Sequence, residues 1–214
     1  MKIALVSLHS PNYHLLSELT WTKNKKIYAE RHNYLHFCKT KNFYNINWGY
    51  EKILFLRDLM IQYDDINWFW WSGCDSLITN FTISLEKIID DNFCFIVSTD
   101  CRNINVDSFL LKNNKQSLNY INDLIKTYTK YQNQAWAEQQ AIIDSYEYNN
   151  DIIKILPQKI LNSYDYSLYK DCQPYDKFGK NGQWEKGDLI IHWPGTSLWK
   201  RIELASKFSS QIIY

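Results

Sequence analysis

The chain has 214 residues, of which 45% are hydrophobic, and it carries 24 Lys and Arg against 23 Asp and Glu. This length is enough to bury one sizeable core, so we expect a single domain over residues 1–214. The balanced charge, with no long block of one sign, argues against a nucleic-acid-binding protein and favours a small-molecule partner.

The cysteines and the N-terminus bear on the cellular compartment. The five cysteines are odd in number and form no Cys-x-x-Cys pair; they are Cys38, Cys74, Cys94, Cys101 and Cys172. This pattern argues against a disulfide framework or a zinc ribbon and favours a reducing compartment. The first apolar run is too short for a signal peptide, and no stretch has the roughly 18 to 20 apolar residues of a membrane span. We therefore expect a soluble, cytoplasmic protein.

Short apolar runs alternate with amphipathic segments in the first half of the chain. We predict strands at "KIALVSL", "NFYNINW" and "INWFWW", and helices over about 17–38 and within "GYEKILFLRDLMIQYDD". The continuous aromatic run "INWFWW" is typical of a central strand that is covered on both faces.

The second half continues the alternation. We predict strands at "NFCFIVS", "DSFLLKN", "DIIKILP" and "DLIIHW", and helices over about 116–131, over about 136–146 and at "SLWKRIELASKF". Residues 164–186 are polar and read as one long loop, and loops longer than about 12 to 15 residues are usually functional or disordered. The alternation predicts an α/β fold with a mainly parallel sheet layered by helices.

Two candidate metal ligands follow predicted strands. Asp75 comes directly after the aromatic strand, and His192 ends the last strand. Ligands of such sheets bind at the carboxyl ends of the strands, and Mg²⁺ or Mn²⁺ there can share carboxylate and diphosphate oxygens. The alternatives are a solvated turn for Asp75 and a buried structural role for His192.

Further polar residues cluster at two places. Short polar side chains lie near the start of a predicted strand, at Asn103, Asn105, Asp107 and Ser108. They can bind sugar hydroxyls or satisfy a turn. Glu138, Gln139 and Gln140 lie in the first turn of a predicted helix. They can point into a cleft, or they can reflect only the preference for a carboxylate at a helix N-terminus. No dinucleotide-binding, P-loop or hydrolase-elbow motif occurs, so the residues alone lead to an α/β domain with a candidate metal and diphosphate edge.

Five segments in the same order resemble glycosyltransferase family 34, the galactomannan galactosyltransferase and xyloglucan xylosyltransferase family. The segment "WGYEKILFLRDLMIQYDDINWFWWSGCDSLITN" resembles a block in which a Leu-Arg-x-Leu-Met helix and a Trp-rich strand lead into an Asp-x-Asp motif. The segments "NKKIYAERHNYLHF", "NVDSFLLKN", "EQQAI" and "GDLIIHWPG" resemble the family's Arg-His-Gly-Tyr helix, Asn-x-Gly-Ser-Phe-Leu strand, Glu-Gln-Asp-Ala helix start and Gly-Asp-x-x-x-His-Phe-x-Gly strand. Together these segments span about residues 24 to 195.

The resemblance implies a GT-A fold with a Rossmann-like nucleotide-sugar domain. It also implies retaining transfer of a hexose or pentose from a UDP-sugar to a glycan acceptor, with Mn²⁺ or Mg²⁺. Asp75 would be the second Asp of the Asp-x-Asp motif and would bind the metal with His192. Glu138, Gln139 and Asp107 would be catalytic residues beside the donor sugar, and part of the loop at 164–186 would order over the donor. The residues implied to contact the nucleotide sugar are Ser7, His9, Cys74, Asp75, Ser108 and Gly195.

Three positions depart from the family pattern. Gly73 stands at the first Asp of Asp-x-Asp, Asp107 stands at the Gly of Asn-x-Gly-Ser, and Lys112 replaces an Arg. Loss of the first Asp removes one contact to ribose or to a metal-bound water. The alternative is an inactive nucleotide-sugar or glycan binding module of the same fold. A third hypothesis is an aromatic-rich interaction domain, whose melting neither UDP nor metal would change.

Overall fold

A computed structural model describes residues 1–41, 44–100, 103–169 and 179–214. Cys101, Cys172 and the middle of the predicted loop, residues 170–178, lie outside the described residues. So do residues 42 and 43, which belong to the strand predicted at "NFYNINW".

The strands of the described chain form two sheets. The strands are β1 Ile3–Leu8, β2 Leu35–Lys39, β3 Trp68–Ser72, β4 Ser76–Ile78, β5 Phe95–Thr99, β6 Ile104–Lys112, β7 Ile153–Leu156, β8 Ser163–Tyr164 and β9 Ile190–His192. The large sheet has the order β2-β1-β3-β6-β5-β7, and the small sheet has the order β4-β9-β8. In the large sheet only β6 runs antiparallel to its neighbours. The prediction of a mainly parallel sheet is therefore confirmed.

Helices flank both sheets, and polar caps set where several of them begin. The helices are α1 His14–Ser17, α2 Lys26–Arg31, α3 Trp48–Gln62, α4 Lys115–Lys126, α5 Tyr128–Tyr131, α6 Ala137–Asn149, α7 Gln158–Leu161 and α8 Leu198–Ser209. A π-helical segment, Glu18–Lys25, joins α1 to α2. The side chains of Asn47, Asn114 and Ser197 accept backbone hydrogen bonds at the starts of α3, α4 and α8. Among the described residues, no helix combines the length and the apolar character that crossing a bilayer requires.

The helix predicted over 17–38 is wrong in its last third. Helical structure ends at Arg31, and the chain turns at Asn33, whose φ of 57° lies in the left-handed region that Asn tolerates. Tyr34 N then donates to Ala29 O at 2.8 Å, and β2 follows. Tyr34 and Leu35 continued the helical spacing in sequence, which concealed the turn. The strand predicted at "NFYNINW" is not formed in its described residues 44–47, because Asn47 caps α3.

The aromatic strand β3 lies between β1 and β6 in the large sheet, as predicted. All five of its residues are buried. Phe69 and Trp71 pack in the core beneath α3, α4 and α6, whereas Trp68 and Trp70 pack on the opposite face with Tyr28. Full burial of an apolar side chain such as Phe69 contributes roughly 1.5 to 3 kcal/mol, so the end of β3 is firmly anchored in the core.

Candidate functional site

The small sheet brings Asp75 and His192 together. Ser76 lies opposite His192 in the antiparallel β4–β9 pair, and Trp193 N donates to Asp75 O at 3.0 Å. His192 Nδ1 lies 2.7 Å from Asn162 Oδ1, and its Nε2 lies 3.6 Å from Asp75 Oδ1. Backbone pairing therefore fixes the distance between the two residues, and Asn162 fixes the orientation of the imidazole.

Asp107 joins this pair from the large sheet. It lies on β6, which runs antiparallel to β3, and its Oδ2 is 3.3 Å from His192 Nε2. Ligand atoms of Asp75, Asp107 and His192 all lie within 4.8 Å of one another, a group that could hold a metal ion. Two carboxylates and one imidazole suit a divalent cation such as Mn²⁺.

Burial and neighbouring charges shift the pKa values of all three cluster residues. Burial alone would raise the pKa of Asp75, but His192 and Arg201 hold that pKa well below its ordinary value. Burial and the negative charge of Asp75 raise the pKa of Asp107. Burial would lower the pKa of His192, but the two carboxylates raise it overall. Neighbouring positive charge thus stabilises the charged form of Asp75, whereas burial and the charge of Asp75 disfavour the charged form of Asp107.

The helical stretch from α1 to α2 forms hydrogen bonds with the backbone of residues 74–78, which include Asp75. Three buried side chains of its π-helical segment donate to backbone carbonyls around Asp75: Thr20 to Cys74 O at 2.7 Å, Asn24 to Ile78 O at 2.9 Å, and Lys25 to Ser76 O. Asn24 Oδ1 also accepts from Ile78 N at 2.8 Å. The wide turns of π-helical segments occur frequently at functional sites. Burial lowers the pKa of Lys25 to about 8, against the opposing effect of nearby acidic groups.

Two cavities meet at the cluster. The larger, of about 530 Å³, is lined by residues that include Asp107, Glu138, Gln139, Tyr164, His192 and Gly195. The smaller, of about 310 Å³, is lined by residues that include His9, Tyr13, Trp48 and Cys74. Asp75 and Arg201 line both. A ligand that spans the two cavities would therefore pass the candidate metal ligands.

A buried ion pair positions Glu138 in the larger cavity. Lys52 Nζ donates to Glu138 Oε1 at 2.9 Å and to Val106 O at 2.8 Å. Gln139 Oε1 accepts from Val106 N at 3.2 Å. A Cβ atom on Gly49 would lie 1.7 Å from Glu138 Oε2, so the start of α3 needs glycine to admit this carboxylate. Glu138 and Gln139 both reach the cavity, tied to α3 and β6.

Ser7 and Ser108 do not line either cavity. Ser7 Oγ donates to Ser72 O at 2.7 Å, and Ser108 Oγ accepts from Trp70 Nε1 at 3.0 Å, both inside the sheet. Because side chains alternate along a strand, Ser108 faces away from the cavity that Asp107 enters. The other residues implied to contact the nucleotide sugar each line at least one of the cavities: His9, Cys74, Asp75 and Gly195.

Three further side chains of the site went unrecognised in the sequence. Arg201 Nη2 lies 2.8 Å from Asp75 Oδ2, Lys52 pairs with Glu138, and Asn162 orients His192. Arg201 and Lys52 lie on helices whose polar residues are expected to face water. Their being basic residues therefore did not indicate a role in the site. Arg201 lies on α8, the first helix after the strand that ends in His192, and only the packing of that helix brings it to Asp75.

The chain is similar in sequence to known sugar-transferring enzymes. The sequence profile described as the galactosyl transferase GMA12/MNN10 family matches residues 7–93 and 87–201. An alpha-1,2-galactosyltransferase of Schizosaccharomyces pombe is 26% identical over 220 residues, covering 83% of this chain and 56% of the relative. A probable alpha-1,6-mannosyltransferase, MNN10 of Saccharomyces cerevisiae, is 28% identical over 129 residues, covering 44% of this chain and 33% of the relative. The chain thus spans little more than half the length of the first of these relatives.

Two solved structures share the fold. A glycosyltransferase involved in the glycosylation of the major capsid of PBCV-1 aligns with a TM-score of 0.79 at 15% identity, covering 97% of this chain and all of that one. The galactosyltransferase LgtC, in complex with donor and acceptor sugar analogues, aligns with a TM-score of 0.60 at 11% identity, covering 99% of this chain and 96% of that one. These likenesses confirm the predicted GT-A-like fold.

Proposed function

This chain belongs to the galactosyl transferase GMA12/MNN10 family, as its resemblance to glycosyltransferase family 34 led us to expect, and we propose that it transfers a sugar from a nucleotide-diphosphate donor to a glycan acceptor. The observation that carries the proposal is the Asp75–Asp107–His192 cluster at the junction of two cavities. A nucleotide sugar has the matching form, since its diphosphate joins a nucleoside to a sugar.

We propose that Asp75 and His192 hold a divalent cation, Mn²⁺ or Mg²⁺, with the carboxylate of Asp107 facing the same point. The residues fit such a group, because a buried oxygen of Asp107 has no hydrogen-bond partner among the described residues. When bound, the cation would supply positive charge to the donor diphosphate and so stabilise the leaving group.

The two cavities suggest how the donor binds. The nucleoside would occupy the smaller cavity, between His9 and Tyr13, and the sugar would occupy the larger one. The diphosphate would then lie beside Arg201, whose guanidinium suits phosphate oxygens and already lines both cavities. UDP is our preferred nucleotide on the family resemblance.

Glu138 and Gln139 would act on the donor sugar. Charge of oxocarbenium character develops on the sugar ring in glycosyl transfer, and a fixed polar side chain beside the ring stabilises it. Lys52 holds the Glu138 carboxylate, and Val106 N holds the Gln139 amide, so neither side chain must reorganise during the reaction. The retaining stereochemistry is proposed from the resemblance.

The direct test is nucleotide release from purified protein. UDP-galactose, UDP-glucose, UDP-xylose and GDP-mannose are each supplied with Mn²⁺ or with EDTA, with and without oligosaccharide acceptors, to wild type and to Asp75→Asn. We expect release with at least one donor that requires Mn²⁺ and is lost in Asp75→Asn. Nucleotide binding without release from any donor would instead favour the binding-module alternative.

A further inference from the structure

Gly73 and Asp107 compete for one space. A Cβ atom on Gly73 would lie 2.1 Å from Oδ1, 2.2 Å from Oδ2 and 2.4 Å from Cγ of Asp107. Any side chain at position 73 would therefore displace the Asp107 carboxylate. The two backbones are held together, because Gly73 N donates to Asp107 O at 2.9 Å beyond the last residue of β3.

The Asp107 carboxylate is directed at the other two members of the cluster. Its Oδ2 approaches His192 Nε2 to 3.3 Å, yet this buried oxygen forms no hydrogen bond with any described residue. A buried carboxylate oxygen without a hydrogen bond is costly, and such groups are normally hydrogen-bonded or coordinate a metal. The oxygen is thus placed where a cation would satisfy it.

Positions 73 and 107 are also two of the three positions at which this sequence departs from its family pattern. A carboxylate is missing at Gly73, and one is gained at Asp107. The geometry connects the two departures, because the gained carboxylate lies where the missing side chain would begin. The cluster keeps two carboxylates and one imidazole.

We propose that Asp107 is a direct ligand of the divalent cation and delivers, from β6, the carboxylate that position 73 does not carry. The inference rests on the proposed function, since it requires a cation at Asp75 and His192. It makes positions 73 and 107 an exchangeable pair, in which either one can carry the carboxylate if the other is glycine.

Binding of Mn²⁺ alone to nucleotide-free protein, followed by electron paramagnetic resonance of the free ion, tests the inference without enzyme activity. The proteins compared are wild type, Asp107→Asn, Asp107→Gly, the double variant Gly73→Asp/Asp107→Gly and its control Gly73→Ala/Asp107→Gly. We expect both single variants to bind Mn²⁺ at least about tenfold more weakly, as loss of a metal-site contact usually does. We expect the Gly73→Asp double variant to recover to within about threefold of wild type, whereas the alanine control, which adds only a methyl group, stays weak.

The outcomes separate this inference from the proposed function. If wild type binds Mn²⁺ and both single variants bind it equally well, Asp107 is not a ligand and only this inference fails. If wild type binds no Mn²⁺, the proposed metal site itself fails. If the Gly73→Asp double variant is folded by circular dichroism and still binds Mn²⁺ as weakly as its alanine control, positions 73 and 107 are not exchangeable. If that variant does not fold, the isosteric Asp107→Asn decides the ligand role.

Discussion

Arg201 and Asp75 form an ion pair in which Nη2 lies 2.8 Å from Oδ2 and the side chains are only 12% and 15% exposed. The guanidinium also donates to the Tyr13 hydroxyl at 3.1 Å and to Trp193 O at 3.3 Å. A positive group therefore already neutralises one of the carboxylates to which we assign a cation. Its position between the two cavities gives it a second candidate partner in the donor diphosphate.

Arg201→Ala should weaken the binding of UDP without weakening the binding of Mn²⁺. Affinity for UDP with Mn²⁺ should fall at least about tenfold, a loss of about 1.4 kcal/mol, because a phosphate contact is removed. Affinity for Mn²⁺ alone should be equal to or higher than that of wild type, because a competing cation leaves Asp75. Isothermal titration calorimetry measures both, with Arg57→Ala on α3 as the control. Unchanged UDP affinity in Arg201→Ala would rule out the phosphate contact.

Asn162→Ala should weaken metal binding while leaving every proposed ligand in place. Asn162 Oδ1 lies 2.7 Å from His192 Nδ1 and sets the direction of Nε2. Loss of such supporting contacts typically costs about 10- to 100-fold in metal affinity. Titration with Mn²⁺ measures the effect, and Asn150→Ala at the exposed end of α6 is the matched control. Equal Mn²⁺ affinity in the two variants would show that Asn162 does not position the imidazole.

Lys52→Met should destabilise the fold, because the partly buried Glu138 carboxylate would lose the ammonium group with which it is paired. The side chains of this pair are 6% and 15% exposed, and removing one partner of a buried pair costs about 3 to 5 kcal/mol. Because Glu138 is not fully buried, we expect the lower end of that range. Urea unfolding measures the change, and Lys126→Met is the control, since its pair with Asp123 is exposed and such pairs contribute about 0 to 1 kcal/mol. Similar losses of unfolding free energy in Lys52→Met and Lys126→Met would contradict a stabilising role for the Lys52–Glu138 pair.

Lys25 should make the free energy of unfolding increase with pH in the alkaline range. Burial lowers its pKa from the ordinary 10.5 to about 8, so between these values the unfolded chain binds more protons than the folded one. The free energy of unfolding of wild type, relative to Lys25→Met, should therefore rise from pH 8 to pH 10.5, by up to about 3 kcal/mol. Urea unfolding in EDTA at pH 7.5 and pH 10 tests this prediction. The same difference between the two proteins at both pH values would contradict it.

Much of the fold could be predicted from sequence because burial leaves a periodic pattern. The run "INWFWW" is too short and too continuous for anything but a buried strand, and Asp75 and His192 follow from the strands that precede them. The Gly73–Asp107 contact could not be predicted, because it depends on β6 lying antiparallel beside β3. Sequence spacing does not specify which strands are neighbours.

The start of β2 and the role of Arg201 were hidden for different reasons. Tyr34 and Leu35 kept a helical spacing across a turn that depends on the left-handed backbone of Asn33. Arg201 has the type and spacing of an ordinary surface residue on an amphipathic helix, and only the packing of α8 against the site gives it a carboxylate partner. The first case was decided by a local backbone conformation, and the second by tertiary contacts, which outweigh local pattern.

Thermal melting with UDP and Mn²⁺, for wild type and Asp75→Asn, tests the metal-dependent donor site most directly. A ligand at 100 times its dissociation constant stabilises the folded state by about 2.7 kcal/mol, which for a chain of this size raises the melting temperature by about 5 to 10 °C. We expect that rise for wild type with UDP and Mn²⁺, and little or none with UDP and EDTA or in Asp75→Asn. An identical response of the two proteins to UDP with Mn²⁺ would contradict the proposed site.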